Sequence, residues 1–347
     1  MNAVRLDTSA HHYYAAGSNK SRLLWLLLLA TILVLASGLS IGLGTRAVSL
    51  AEILNALNGH RETMGEAAVA LRIPRTLLAI IAGAALGLAG CVMQGITRNP
   101  LVDPGILGVN MGAALAMVIA IAWFNIGSTY TPIWVAIGGA GAAATFVYIV
   151  GSLGRGGATP LKLALAGAAT SVAFSSLVVA IILPRADLAG SIRAWQIGGV
   201  GGATFDRIVH VLPFLVFGLV ISLLSARKLN SLALGEELAA GLGENVAFAR
   251  LCAAIGAIFL CGATTAICGP IGFVGLVVPH LCRLLIGVDH RWLLPFSAIT
   301  GAVLLVTSDI IGRVIARPTE IDVGIITAFL GAPFFIYIVR RQRVREL

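Results

Sequence analysis

Few residues of this sequence occur at spacings that could support covalent chemistry or metal binding. His280 and Cys282 lie two positions apart and could supply two metal ligands, but a structural zinc site uses four. All five cysteines lie in apolar sequence, where a free cysteine behaves as a small hydrophobic side chain. We therefore interpret His280 as a packed or interfacial histidine, and we expect no catalytic residue, no bound metal and no cofactor.

A nucleotide-binding phosphate loop requires a glycine directly before a lysine. The chain has only three lysines, and Lys20, Lys162 and Lys228 follow asparagine, leucine and arginine instead. The sequence therefore contains no such loop. Any ATP hydrolysis that drives this protein is expected on a separate subunit.

An ion-driven transporter usually carries carboxylates or histidines within its membrane spans. The main candidate here is Asp309, which has Arg313 four residues later, a spacing at which two side chains on one helix face can pair. Asp187 and Asp206 fall in or near a loop. Because no series of acidic residues crosses the predicted spans, the sequence favours a passage that a partner opens and closes over an ion-driven carrier.

The composition is that of a membrane protein. Hydrophobic residues make up 58% of the 347 residues and charged residues only 11%, whereas soluble domains are about 25% charged. The net charge of +9 comes from residues that stand singly or in pairs between apolar segments, without a basic stripe. These charges are typical of loops that set membrane topology, and we expect no nucleic-acid partner.

Apolar runs of about 20 residues, enough to cross roughly 30 Å of hydrocarbon, recur along the chain. They predict an all-α membrane protein with about ten transmembrane helices. The predicted spans lie near residues 23–43, 76–96, 105–124, 132–152, 161–183, 209–226, 249–268, 271–287, 293–312 and 323–339.

The spans divide the chain into an N-terminal tail (1–22), a transmembrane domain (23–339) and a basic C-terminal tail (340–347). Ten spans place both termini on the same side of the membrane. The basic sequence Arg340-Arg341-Gln342-Arg343 directly after the last span indicates that this side is the cytoplasm.

Two stretches rich in proline and glycine interrupt the spans, at Asn99–Gly105 and at Gly269–Gly272. Irregular backbone at membrane depth is tolerated only where protein or a water-filled cavity covers it. The two breaks lie five spans apart, in halves of opposite topology. They indicate an inverted repeat, which is a common transporter architecture.

The longest polar stretch on the predicted cytoplasmic side is residues 226–250. Within it Leu234, Leu238 and Leu242 recur at every fourth position, which predicts one apolar stripe on a short helix. This pattern fits a helix that lies on the membrane surface, and it fits equally well a helix seated in the groove of a partner protein.

Five stretches, in order, resemble the FecCD-type permeases, the membrane subunits of ATP-binding-cassette importers for iron–siderophores, haem and cobalamin. The similar stretches are LRIPRT at 71–76, GLAGCVMQ at 87–94 with RNPLVDPGILG at 98–108, LGEELA at 234–239 with Leu242-Gly243, GPIGFVGLVVPH at 269–280, and GIITAFLGAPFF at 324–335. Together they span nearly the whole chain.

The resemblance implies an inverted-repeat, type II importer permease architecture with ten helices per subunit, in the bacterial cytoplasmic (inner) membrane. It also implies a second permease subunit, as a homodimer or heterodimer around a central passage, with two cytoplasmic ATPase subunits and an extracytoplasmic solute-binding protein. Membrane lipid surrounds the assembly.

The resemblance further implies that the 226–250 segment includes a coupling helix, which sits in a cleft of the ATPase. The residues concerned are Leu234, Gly235, Glu236, Glu237, Leu238, Ala239, Leu242 and Gly243.

On the outer side, the resemblance assigns Arg72, Arg75 and Arg313 to contacts with acidic residues of the binding protein. Complementary charges of this kind guide encounter and register. Anchoring at lipid headgroups is the alternative for Arg72 and Arg75, and pairing with Asp309 is the alternative for Arg313.

Two departures from the family pattern lie near the predicted outer mouth of the passage. Asp322 replaces the usual proline before the last span, and the glycine-rich residues 198–202 replace the usual Gly-Ser-Leu. Losing the proline removes a restraint on φ, so the family pattern does not predict the shape of this loop. The expected cargo is a ferric siderophore, with haem or cobalamin as alternatives, and an ion-driven secondary transporter is the rival class.

Overall fold

The computed structural model describes residues 19–105, 107–124, 130–153 and 159–341, and the regular secondary structure of these residues is all helical. The helices are α1 (Asn19–Gly42), α2 (Leu50–Leu57), α3 (Met64–Thr97), α4 (Val109–Phe124), α5 (Thr131–Ser152), α6 (Pro160–Ile182), α7 (Ala186–Ile197), α8 (Phe205–Leu224), α9 (Ala226–Ala233), α10 (Glu236–Gly241), α11 (Val246–Cys268), α12 (Val274–Ile286), α13 (His290–Ile315) and α14 (Val323–Arg341). Most of the two predicted tails, residues 1–18 and 342–347, lies outside the described residues.

Every predicted span falls on one of these helices. Within the described residues, seven helices are long and apolar enough to cross a membrane, namely α1, α3, α5, α6, α8, α11 and α13. The three remaining predicted spans fall on α4, α12 and α14, which are apolar but shorter over their hydrophobic stretches. The all-α membrane fold is confirmed, whereas crossing by each of the three shorter helices stays a prediction.

Helix α3 is longer than its predicted span because its start is capped within polar sequence. The Thr63 hydroxyl accepts from the Glu66 N–H at 3.2 Å, and the Glu66 carboxylate accepts from the Thr63 N–H at 3.1 Å, which is a capping box. The helix therefore runs for 34 residues and contains Pro74. The stretch 71–76, which was expected at the entrance to the second span, lies inside the helix.

Helices α3 and α13 pack backbone against backbone along a seam formed by Gly83, Gly87, Ser297 and Gly301. A Cβ atom at Gly83 would lie 2.8 Å from the Gly301 carbonyl carbon and 2.9 Å from Ala302 Cα. A Cβ atom at Gly87 would lie 3.3 Å from Gly301 Cα. Small residues allow this close approach between membrane helices, so α3 and α13 form one tightly joined pair at the centre of the fold.

The two predicted breaks meet beside α3. The Gln94 side-chain amide donates to the Val102 carbonyl oxygen in the first break and to the Gly275 carbonyl oxygen after the second, both at 3.0 Å. The Asn110 amide donates to the Ile271 carbonyl oxygen at 3.2 Å. Protein thus covers both irregular segments and satisfies part of their backbone, as membrane depth requires.

Candidate functional site

The 226–250 segment contains two short helices and the first turn of α11, and the short helix predicted from the leucine spacing is α10, which is shorter than the spacing of the three leucines implies. Helix α9 ends at Ala233, and Gly235 then adopts φ +111° before α10 begins at Glu236. Residues with a Cβ atom rarely adopt this backbone conformation. Gly243, at φ +86°, lies just beyond the end of α10. The segment is therefore a compact helix–turn–helix.

The three leucines nevertheless remain on the surface. Leu238 lies within α10 and is 63% exposed, and Leu234 and Leu242 flank that helix with 58% and 67% exposure. Ala239, in contrast, is fully buried and faces the rest of the protein. The result is a small apolar surface around α10 that the described part of the protein leaves open.

Glu236 fastens this apolar surface to two longer helices. Its carboxylate Oε1 lies 2.6 Å from Arg250 Nη2, near the start of α11, and 3.5 Å from Arg98 Nη2, at the end of α3. The hydrogen bond from Arg250 is the main cause of a lowered Glu236 pKa, and the Arg98 charge acts in the same direction. Glu236 is thus held ionised, while the neighbouring Glu237 is exposed.

Arg98 and Arg250 are functional candidates that sequence reasoning did not select. Arg98 terminates α3 in the left-handed conformation, with φ 51°, which turns the chain sharply into the first break. Neither residue stands next to Glu236 in the sequence, since they are 138 and 14 positions away. No local spacing rule could have paired them.

At the predicted outer end of α3 and α13, five side chains form an outer charge cluster. Its members are Arg72, Arg75, Asp309, Arg313 and Glu320. Arg75 Nε and Nη2 both donate to Asp309 Oδ1, at 3.0 and 2.9 Å, and Arg75 Nη1 lies 2.5 Å from Glu320 Oε2. The Asp309 carboxylate is also 2.8 Å from Arg313 Nη2.

The two other arginines of the outer charge cluster hold the end of α1. Arg313, only 1% exposed, donates to the Ser40 carbonyl oxygen at 3.0 Å and to the Leu43 carbonyl oxygen at 3.1 Å. Arg72 is 6% exposed and donates to the carbonyl oxygens of Ile41, Gly42 and Arg46, at 3.1, 3.0 and 2.7 Å. Their positive charges thus satisfy carbonyls that a helix end leaves without partners.

These contacts correct the expectation for two of the three predicted docking arginines. Arg72 and Arg313 are buried, so their charges do not face a partner or lipid headgroups in this structure. The alternative of an Asp309–Arg313 pair is confirmed. Arg75 lies at the edge of the outer charge cluster beside Glu320, whose side chain is 40% exposed.

The two departures from the family pattern contact each other. A Cβ atom at Gly199 would lie 2.7 Å from Asp322 Oδ1, and the Gly324 N–H donates to the Gly198 carbonyl oxygen at 2.9 Å. Burial raises the pKa of Asp322, although the Arg75 charge opposes this shift. The glycines that replace the usual residues thus leave room for an acidic side chain at the start of α14.

His280 packs with its ring edge toward Phe334, at a centroid distance of 5.8 Å. The neighbouring Cys282 thiol donates to the Thr300 hydroxyl at 3.4 Å. Among the described residues, no group of three or more His, Cys, Asp or Glu side chains is arranged to hold a metal ion. The packing interpretation of His280 agrees with its surroundings.

Long apolar helices, two protein-covered backbone breaks and the short helix pair between α8 and α11 together define a polytopic α-helical membrane protein. The FecCD transport family model matches residues 17–341. The chain belongs to the FecCD transport family.

The relatives and a solved structure agree with this placement. The chain is 41% identical over 317 residues to the ferric enterobactin transport system permease protein FepD of Escherichia coli (strain K12), covering 90% of this chain and 94% of that protein. It is 38% identical over 335 residues to the Fe(3+)-citrate import system permease protein YfmD of Bacillus subtilis (strain 168), covering 96% and 99%.

Among solved structures, an inward-facing ABC transporter assigned to the metal-chelate type matches with a TM-score of 0.78 at 30% sequence identity. The match covers 92% of this chain and 99% of that one. The ABC importer permease fold expected from the sequence is therefore confirmed.

Proposed function

We propose that this chain is the permease subunit of an ATP-driven importer and that residues 226–250 are its coupling segment, the part that docks on a cytoplasmic ATPase. The observation that carries the proposal is the apolar surface around α10, where Leu234, Leu238 and Leu242 are exposed while Glu236 ties the helix to α3 and α11. An exposed apolar surface on a short helix that is tied to two longer helices suits a partner's groove.

The proposed cargo is a ferric siderophore. FepD is named for ferric enterobactin and YfmD for ferric citrate, which supports an iron chelate over cobalamin and leaves haem as the alternative. The proposed assembly contains a second permease subunit, which completes the passage, and two ATPase subunits. A solute-binding protein delivers the chelate from outside.

The proposed contact with the binding protein is the outer edge of the outer charge cluster, at Glu320, whose side chain is 40% exposed, with the mostly buried Arg75 beside it. The buried Arg72 and Arg313 stabilise the helix ends beneath this edge rather than meeting the partner. A charge at such an edge would set the register of docking more than its affinity.

The proposed topology has both termini in the cytoplasm of a bacterial inner membrane. Cysteines introduced by Leu238→Cys and Glu62→Cys test it, in a background that lacks the half-buried Cys252, because the other four native cysteines are buried. A membrane-impermeant maleimide should label Glu62→Cys in intact spheroplasts and Leu238→Cys only after the membrane is opened. The reverse pattern would invert the proposed topology.

Reconstitution with the neighbouring ATPase tests the proposed function. In proteoliposomes, a binding protein loaded with a ferric siderophore should stimulate both ATP hydrolysis and uptake. Leu238→Ala should weaken ATPase association by about tenfold or more, because a leucine buried in a groove contributes about 1.5–3 kcal/mol. The control is Leu57→Ala on α2, an equally exposed leucine outside the coupling segment. Uptake that follows an ion gradient without ATPase would contradict the proposal.

A further inference from the structure

Asn230 joins helix α9 to the start of α13 with both polar atoms of its side chain. Its Nδ2 donates to Asp289 Oδ1 at 2.6 Å, and its Oδ1 accepts from the His290 backbone N–H at 2.8 Å. The His290 ring Nδ1 lies 2.9 Å from the same oxygen. Because an amide oxygen only accepts, Nδ1 carries the ring proton, and because a carboxylate only accepts, the amide orientation is fixed.

Asp289 also caps the N-terminus of α13. It is the N-cap residue of that helix, and its Oδ1 accepts from the Arg291 N–H at 3.0 Å. Burial alone would raise its pKa, but the hydrogen bonds from Asn230 and from the Arg291 N–H outweigh burial and lower the pKa below that of an ordinary aspartate. Asp289 is therefore an ionised acceptor at neutral pH.

The contact lies at a junction of three helices. A Cβ atom at Gly95, near the end of α3, would lie 2.8 Å from His290 Nε2 and 3.1 Å from Leu229 Cδ2. Leu229, on α9, is fully buried. Helix α9 thus touches both members of the α3–α13 pair at their cytoplasmic ends.

The pair is joined twice more toward the other side of the membrane. The seam at Gly83 and Gly301 leaves no space between the two backbones, and Arg75 bridges to Asp309 at the outer end. Packed interiors transmit displacement because they do not deform continuously. A displacement of α9 therefore reaches α3 and α13 together rather than one of them alone.

The coupling segment has a second link to the permease, through Glu236 to Arg98 and Arg250. Those side chains are partly exposed, and exposed ion pairs hold weakly. The Asn230 contact is directional and partly buried, and removing one partner would leave Asp289 or the His290 N–H without its bond. Of these two links between the coupling segment and the rest of the permease, the Asn230 contact therefore transmits movement more firmly.

We propose that Asn230 is a positioning residue of energy coupling, and that its contact with Asp289 and His290 carries the movement of the coupling segment to α13. The inference rests on the proposed function of that segment. It adds the route by which movement at the ATPase surface reaches the helices that cross the membrane.

An exchange of the two side chains tests the inference. Asn230→Asp places a second carboxylate against Asp289, and like charges repel. Asp289→Asn alone leaves two amides, which can still form one N–H to O bond. In the double variant the amide at position 289 donates to the carboxylate at position 230, which still accepts from the two His290 donors. Asp289 Oδ1 accepts from both Asn230 and the Arg291 N–H, so the asparagine at 289 has to turn its amide oxygen to the Arg291 N–H, as an N-cap asparagine does, while its Nδ2 meets position 230.

The decisive readout is the number of chelate molecules taken up per ATP hydrolysed, measured in proteoliposomes that contain the permease, its ATPase and the loaded binding protein. We expect Asn230→Asp to lower this ratio severalfold, because ATP hydrolysis continues while the movement of the coupling segment reaches α13 less often. The exchanged double variant should recover most of the ratio. The control Asn58→Asp makes the same change at an exposed asparagine outside the coupling segment and should leave the ratio unchanged.

The outcomes separate this inference from the proposed function. If the unaltered complex shows no stimulated ATP hydrolysis, the proposed function itself fails. If the unaltered complex is coupled and Asn230→Asp keeps the same ratio, only the role of Asn230 is refuted. Loss of the ATPase from the Asn230→Asp complex would also overturn the inference, because the residue would then shape the docking surface instead of transmitting movement.

Discussion

Replacing Gly83 by alanine should destabilise the protein, because the new methyl group has no room in the α3–α13 seam. The added Cβ would lie 2.8 Å from the Gly301 carbonyl carbon and 2.9 Å from Ala302 Cα. Carbon atoms prefer separations of about 3.5–4.0 Å. Both neighbours are backbone atoms of a helix and cannot rotate away, so α3 and α13 have to separate by roughly 0.7–1 Å.

A gap of that size forfeits about a quarter to a half of the dispersion energy of each facing atom pair. Overpacking of a close-packed interior typically costs about 1–3 kcal/mol, which we take as the expected loss for Gly83→Ala. The matched control is Gly138→Ala on α5, where nothing lies within 4 Å of the added Cβ. Alanine inside a helix is favoured over glycine by about 0.5–1 kcal/mol, so this control should be slightly stabilising.

The measurement is equilibrium unfolding of the purified chain in mixed dodecyl maltoside and dodecyl sulfate micelles, followed by the fluorescence of its five tryptophans. The two substitutions make the same chemical change in two membrane helices, and we expect opposite signs for their effects on the free energy of unfolding. Equal effects, or a more stable Gly83→Ala protein, would refute the close backbone contact.

Two further predictions concern charged groups at the two ends of the α3–α13 pair. Asp309→Asn leaves two arginines of the outer charge cluster without their shared buried carboxylate and should lower the free energy of unfolding by about 3–5 kcal/mol. The control Glu320→Gln, at a side chain that is 40% exposed, should lower it by less than about 1 kcal/mol. Similar losses for the two variants in the same micelle titration would contradict the central place of Asp309 in the cluster. The pKa of Glu236 is lowered in the folded protein, so the stabilisation from its ion pairs is present above the pKa of an unfolded glutamate and is lost as the pH falls through the lowered value. A spin label introduced by Ala240→Cys should therefore be restrained at neutral pH and gain mobility only in acid. When Glu236→Gln is added, the label should be mobile at every pH. Identical mobility in both proteins would count against the link from Glu236 to Arg98 and Arg250.

The sequence was most informative where one local property decides the structure. A run of about 20 apolar residues has one stable arrangement in lipid, and each such run became a helix. The prolines and glycines of Asn99–Gly105 and Gly269–Gly272 marked the two breaks because several of them occur together, whereas a single proline such as Pro74 remains within α3.

The partners of the polar side chains could not be predicted in this way. Arg313 contacts Ser40 across 273 positions, and Arg75 contacts Asp309 across 234, so sequence spacing carries no signal for either pair. The division of the 226–250 segment into two helices was also missed. Leucine spacing reports one face of a helix, but it does not register that Gly235 leaves the helical conformation at φ +111°.

The hydrogen bonds from Arg313 to carbonyl oxygens at the end of α1 form late in the synthesis of the chain. The ribosome synthesises Ser40 and Leu43 about 270 residues before Arg313, which bonds to them. Helix α1 therefore enters the bilayer while these two carbonyl oxygens lack the hydrogen bonds from Arg313. Until α13 is inserted, the end of α1 has the hydrogen bonds from Arg72 but lacks those from Arg313. A chain that stops before α13 therefore lacks the hydrogen bonds from Arg313 that complete the end of α1.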